Sequence, residues 1–148
     1  MEALMNTLKH QTSGFKALYM EKTKQWAAEE LERNIARRKT YQAIDHKRKD
    51  KAYYAEQKWY WKSPLWFFTE EYIDKCLRTA ELHYENSIFK LACRIQDKGL
   101  NLDSLSVSSV HMGVNLDLTI TDGSQTVTAH TILAWGEIYR PHYRYLIR

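Results

Sequence analysis

The last ten residues carry arginine and histidine side chains at a spacing that suits anion binding. In residues 139–148, YRPHYRYLIR, an extended backbone places Arg140, His142 and Arg144 on one face and mainly apolar side chains on the other. Arginine forks match phosphate or carboxylate groups, and histidine titrates near neutral pH. This pattern is typical of an anion-binding site, and equally of an edge strand whose charges discourage aggregation.

A second group of cations is concentrated in residues 33–51, which contain eight Lys or Arg and only two Asp. Residues 1–62 carry a net charge of +6, whereas residues 63–148 carry −2. A positive field of this kind attracts nucleic acid or an acidic protein surface, although a solvated helical face has the same composition. The candidate binding residues in this segment are Arg33, Arg37, Arg38, Lys47, Arg48 and Lys49.

Aromatic residues make up eight of the sixteen positions from 53 to 68. Such side chains form apolar corners, anchor protein interfaces and stack on nucleobases. The first interpretation predicts a buried reversal between two helices, and the other two predict a binding surface. The candidate residues for a binding surface are Trp59, Trp61 and Trp66.

Residues that commonly perform catalysis show no informative spacing in this chain. The six histidines form no HxxxH, HExxH or Cys/His zinc pattern, and the chain has no P-loop, GxGxxG or GxSxG motif. Cys76 and Cys93 are seventeen residues apart in one predicted helix, about 26 Å along its axis, so they cannot form a disulfide with each other there. We therefore predict no catalytic residue, metal site or cofactor, and a protein that is not an enzyme.

Two long helices are expected to position the cations and the aromatic residues. Residues 15–63 contain neither Gly nor Pro, and apolar residues recur there at intervals near three and four. They form either one extended helix or two helices that meet at the basic stretch. A second helix is predicted to begin after Thr69, whose side chain would cap it, and to end before Gly99. Its heptad-like row, typical of coiled-coil packing, is Ile73, Leu77, Ala80, Tyr84, Ile88, Leu91 and Ile95.

The hydrophobic period changes to two after Leu100, which predicts strands over residues 104–111, 114–121 and 125–133. Asp122 and Gly123 form a hairpin signal between the last two. The predicted fold class is therefore α+β, with two long helices, arranged as a helical hairpin or as an extended helix, followed by a three-stranded antiparallel meander packed on the second helix. We expect residues 1–62 and residues 63–148 to form one cooperative domain.

The composition, 44% hydrophobic and 27% charged, is that of a globular domain and excludes a wholly disordered chain. No stretch approaches the length of a membrane span, and the first ten residues lack the apolar core of a signal peptide. We expect a cytoplasmic protein without membrane contact. A projecting first helix would leave Trp26, Leu31 and Ile35 uncovered, which predicts a homo-oligomer or a docked partner.

The block AHTILAWGEIYRPHYRY, residues 129–145, resembles the C-terminal part of small accessory proteins encoded by tailed bacteriophages. The similar pattern, TI-x-A-x-G-x-I-x-R-P-H-Y-R-Y, covers about fifteen residues. The resemblance implies a non-structural phage protein in the bacterial cytoplasm, and small phage proteins of that kind commonly bind and block a host enzyme or defence complex.

Together these features predict a phage-encoded interaction protein that inhibits a host protein or protein complex without catalysis. The basic helix and the aromatic residues would form its binding surface. The alternative is a nucleic-acid-binding protein that uses the basic helix of residues 33–51.

Overall fold

Two consecutive helices at the N-terminus meet at Thr12. The computed structural model describes residues 1–47, 65–112 and 115–133, and its first helices are α1 (Glu2–Gln11) and α2 (Ser13–Lys47). The Thr12 hydroxyl donates to the Leu8 carbonyl at 2.7 Å, and the Ser13 hydroxyl donates to the His10 carbonyl at 3.0 Å. Helix α1 was not expected from the sequence, and Ser13 does not cap α2. Helix α2 contains 35 residues, about 52 Å at 1.5 Å per residue.

The second long helix, α3 (Glu71–Lys98), follows a short 3-10 helix (Leu65–Phe68). The predicted cap at Thr69 is wrong, because its hydroxyl donates to the Trp66 carbonyl at 3.1 Å instead. The predicted end is confirmed. Gly99 has a φ of 60°, the left-handed conformation that glycine adopts most readily after a helix.

Helices α2 and α3 run antiparallel and form a helical hairpin. Near the start of α2, the Thr12 hydroxyl contacts the Tyr84 hydroxyl across the helix pair. Further along α2, Arg38 reaches Phe68, which precedes α3 in the chain. Residues late in α2 therefore contact residues early in the 65–98 region. Of the two predicted arrangements, a helical hairpin or an extended helix, the structure shows the hairpin.

The heptad row of α3 is buried from Ala80 onward, whereas Ile73 and Leu77 are only half-buried. At the beginning of α3 the buried positions are Tyr72 and Cys76 instead. The reason is a change of packing partners along the helix. The later part of α3 shares a core with α1, α2 and the sheet, whereas the beginning packs on α2, on Phe67 of the 3-10 helix and on Leu133.

Three strands complete the described fold as an antiparallel meander, β1 (Ser106–Met112), β2 (Asn115–Thr121) and β3 (Thr126–Ile132). Along β2, the alternate residues Leu116, Leu118 and Ile120 are fully buried. The sheet packs on α3 through β3, where the hydroxyls of Ser87 and Thr131 contact each other. The α+β class and the placement of the sheet on the last helix are therefore confirmed.

The loop between β2 and β3 is organised by Asp122. Its Oδ1 atom accepts hydrogen bonds from the Ser124 amide, the Ser124 hydroxyl and the Gln125 amide, and Oδ2 accepts one from the Asn101 amide. These hydrogen bonds, those of Ser124 foremost, hold the pKa of the Asp122 carboxyl well below its usual range. Gly123 has a φ of 92°, which confirms the turn predicted from the Asp-Gly pair.

The apolar residues of α2 that predicted an oligomer are covered by other parts of the same chain. Leu31 is buried, and Trp26 and Ile35 are half-buried against the cluster that contains Phe67 and Tyr72. Their exposure was the reason to expect self-association, and that reason no longer holds for this face. Among the helices in the described ranges, none combines the length and apolar character that crossing a bilayer requires.

Candidate functional site

The 3-10 helix places a fully buried phenylalanine at the centre of an aromatic cluster. The Phe67 ring centroid lies 5.1 Å from that of Phe68, 5.5 Å from that of Tyr72 and 6.1 Å from that of Trp66, and all three contacts are edge-to-face. Edge-to-face contacts at these distances are favourable because the positive edge of one ring meets the negative face of another. Phe67 therefore fixes Trp66 and Phe68 on either side of it.

Hydrogen bonds to backbone carbonyls hold the same segment against α2 and α3. The Asn34 side chain of α2 is buried and donates to the Phe67 carbonyl at 3.4 Å. The Thr69 amide donates to the Trp66 carbonyl at 3.1 Å, and the Tyr72 amide donates to the Thr69 carbonyl at 2.9 Å. The aromatic cluster is thus attached to both long helices.

Two cations lie over the outer rings of this cluster. The guanidinium carbon of Arg38 is 4.4 Å from the Phe68 centroid, and the ammonium nitrogen of Lys75 is 5.0 Å from the Trp66 centroid. Both distances are within the range of cation–π attraction. Lys75 also lies 3.8 Å from a carboxylate oxygen of Glu71.

Leu65 extends the cluster to the surface, where it is 72% exposed. It is the most exposed large hydrophobic residue in the described part of the chain. Trp66 and Phe68, which follow it, are each half-buried. We call the group of Arg38, Leu65, Trp66, Phe68 and Lys75 the aromatic–basic patch.

The candidate residues from the sequence fall into three groups. Arg38 and Trp66 belong to the patch. Arg33 and Arg37 lie on the exposed side of α2, and Arg33 donates through Nε to Glu30 at 2.8 Å. Lys47 is the last residue of α2. The remaining candidates lie outside the described residues, namely Arg48, Lys49, Trp59, Trp61, Arg140, His142 and Arg144.

Sequence reasoning missed one polar pair on the exposed face of the sheet. Asp117 of β2 and His130 of β3 are direct cross-strand partners, and Nδ1 of His130 lies 2.7 Å from Oδ1 of Asp117. The four-residue connection from Asp122 to Gln125 sets this pairing, whereas a two-residue turn at Asp122-Gly123 would have placed Thr128 opposite Asp117. Their side chains are 65% exposed for His130 and 40% for Asp117, so the pair is a surface contact of modest strength.

Nucleophilic and metal-binding groups are sparse in the parts of the chain that the structure describes. Burial raises the pKa of the Cys76 thiol to about 12, so this thiol stays protonated and unreactive at neutral pH. Within the described ranges, no three His, Cys, Asp or Glu side chains are grouped so as to hold a metal ion. The aromatic–basic patch is therefore the best-organised candidate site among these residues.

Comparison of the chain with protein-family models, with curated proteins and with solved structures gave no match.

Proposed function

We propose that this protein is a non-catalytic interaction protein that binds a host protein or protein complex and inhibits it. The observation that carries the proposal is the aromatic–basic patch at one end of the helical hairpin. Tryptophan and arginine are the residue types most enriched among those that dominate protein interfaces, and aromatic residues are enriched there in general. Here Leu65 is exposed at the start of the same 3-10 helix, the Trp66 ring packs on Phe67, and Arg38 lies over Phe68.

Local pairing of the cations favours a protein partner over nucleic acid. Arg33 is bound to Glu30, so it is not an unopposed cation in an open row. Glu29 and Glu32 lie on the same helix. A helix that binds a duplex neutralises several phosphates and benefits from unopposed cations along its surface. Mixed charges beside an apolar anchor are more typical of a protein interface.

The resemblance of residues 129–145 to the tails of phage accessory proteins supports the biological setting. Proteins of that group act inside a bacterial cell, where host enzymes and defence complexes are the available targets. Inhibition by occupancy needs only a stable interface, in keeping with a proposal that assigns no catalytic role to any residue.

Two experiments test this proposal, a binding titration with a DNA duplex and capture of a protein partner from bacterial lysate. If residues 33–51 bind a DNA duplex through about six phosphates, log K should fall with log salt at a slope near −5, and reversing Arg37 and Arg38 to Glu should abolish binding. We expect instead only weak duplex binding, with a Kd of about 10⁻⁴ to 10⁻⁶ M at physiological salt.

The second experiment is capture from nuclease-treated bacterial lysate. The wild-type protein and the L82D variant should both retain a protein partner, and the L65D variant should lose it. Tight, salt-dependent duplex binding that L65D does not weaken would contradict the proposal.

A further inference from the structure

The charge of Arg38 has no carboxylate partner among the described residues, and its guanidinium carbon lies 4.4 Å from the Phe68 centroid. Its neighbours on α2 show that this is a local property. Arg33, five residues earlier, is bound to Glu30, whereas Arg38 lies over the face of Phe68. A guanidinium that lies over a ring keeps its N–H donors, which can form a two-pronged hydrogen bond with a carboxylate.

The surroundings of Arg38 are positive on the α2 side and mixed on the α3 side. Arg37 and Lys39 are exposed beside it on α2. On α3, Lys75 lies close to Glu71, and Glu70 is exposed at the start of the helix. The Arg38 guanidinium therefore provides the positive charge that lies next to Phe68. An acidic group is attracted to that side of the patch.

The exposed leucine lies on the same side of the 3-10 helix as the ring beneath Arg38. Leu65 is 72% exposed and begins this helix, in which side chains three residues apart are aligned, so Leu65 is the neighbour of Phe68, and Arg38 lies over the Phe68 ring. A ligand that covers Leu65 removes apolar area from water, and a rigid surface loses little conformational entropy when it does so. Both an apolar and an acidic contact are thus available within one small area.

We infer that the aromatic–basic patch binds an acidic segment of the protein partner, with one large apolar side chain on Leu65 and a carboxylate on Arg38. This inference rests on the proposed function and adds the chemistry of the partner to it. Phosphate groups of a nucleic acid would satisfy Arg38 and leave Leu65 uncovered. The combination of an exposed leucine with an arginine that lies over an aromatic ring therefore favours an acidic peptide segment.

Selection from a library of random twelve-residue peptides displayed on phage, panned on the full-length protein, tests the inference. We expect the enriched peptides to combine Asp or Glu with Leu, Phe or Trp. A synthetic copy of the most enriched peptide is then titrated by fluorescence anisotropy. R38M, which retains an aliphatic stem over Phe68 without donors, and L65D should each weaken binding by about tenfold or more, equivalent to about 1.4 kcal/mol. The matched controls K24M and L82D replace exposed residues elsewhere and should change the Kd by less than about twofold.

The possible failures separate this inference from the proposed function. Enriched peptides that are neutral or basic, yet still depend on Leu65, would overturn the inference and leave a protein-binding patch in place. Peptides that bind equally well to R38M and L65D would overturn it as well, as would the absence of any enriched peptide. If R38M instead dissociates an oligomer of the protein in sedimentation, the occupant is a second copy and the inference is wrong.

Discussion

Replacing Phe67 with alanine should remove the support of the aromatic–basic patch and destabilise the whole protein. The ring is fully buried and makes edge-to-face contacts with three other rings at centroid distances of 5.1 to 6.1 Å. Truncation of a buried phenylalanine costs about 3–5 kcal/mol, and three aromatic neighbours place this site in the upper part of that range, at about 4–5 kcal/mol. Because a domain of this kind is stable by only about 5–15 kcal/mol, the loss is easy to measure.

Urea unfolding followed by far-ultraviolet circular dichroism provides the measurement, with F67L as the matched control. Leucine keeps most of the buried volume and loses the ring contacts, so F67L should cost about 1–2 kcal/mol. Hydrogen exchange should show faster opening of residues 65–72 and of the facing part of α2 in F67A than in the wild type. A cost below about 1 kcal/mol for F67A would refute the reasoning, because it would mean that Phe67 does not organise this end of the hairpin.

Three further predictions concern the core, the thiols and the turn. L91A should cost about 2–5 kcal/mol in chemical unfolding and clearly more than L77A, because Leu91 is fully buried and Leu77 is half-buried; equal costs would contradict the packing of α3. In the native protein a maleimide at about pH 8 should label Cys93 and not Cys76, because burial raises the pKa of the Cys76 thiol to about 12. Mass spectrometry detects the labelled residue, and rapid labelling of Cys76 would contradict this prediction. Because the folded-state pKa of Asp122 lies below its unfolded value, its stabilising contribution is present above about pH 4 and is lost as the pH falls further. D122N should therefore show a smaller drop in Tm than the wild type between about pH 6 and pH 3, and an unchanged drop would contradict the role of the carboxylate.

The sheet was largely predictable because its signals are local. Alternation of Leu116, Leu118 and Ile120 with polar residues, together with the Asp122-Gly123 turn signal, predicts the strands and the buried face of β2. The register was not predictable in this way, because Thr121 pairs with Thr126 across four residues and a two-residue turn would have paired it with Ser124. The end of α3 was predictable for the same reason, since Gly99 alone provides the left-handed residue. Helix α1 was missed because it carries only two buried residues, Leu4 and Leu8, and no side-chain cap.

The candidate site was predictable only in its components. The sequence identified Arg38 in a basic segment and Trp66 in an aromatic one, 28 residues apart along the chain. Only the antiparallel packing of α2 on α3 brings Arg38 over Phe68, and that alignment depends on tertiary contacts with no local signature. Lys75 was not singled out because its cation–π contact with Trp66 likewise exists only in the folded chain.

The self-association predicted from Trp26, Leu31 and Ile35 stays a prediction. Light scattering at micromolar concentration checks it directly, because a monomer of 17.6 kDa differs at least twofold in mass from any oligomer. A monomer is the result expected if coverage of these residues within the hairpin is sufficient.

Photo-crosslinking from position 65 in bacterial cells tests the central claim most directly. A benzophenone amino acid in place of Leu65, which is 72% exposed, reports what lies on the aromatic–basic patch, and the same group in place of Leu82, which is 44% exposed, serves as the control. We predict a discrete adduct from position 65 that protease digests and nuclease leaves intact. The same group at position 82 should not form this adduct. An adduct that nuclease removes, or identical adducts from both positions, would contradict the assignment of this patch as a protein-binding surface.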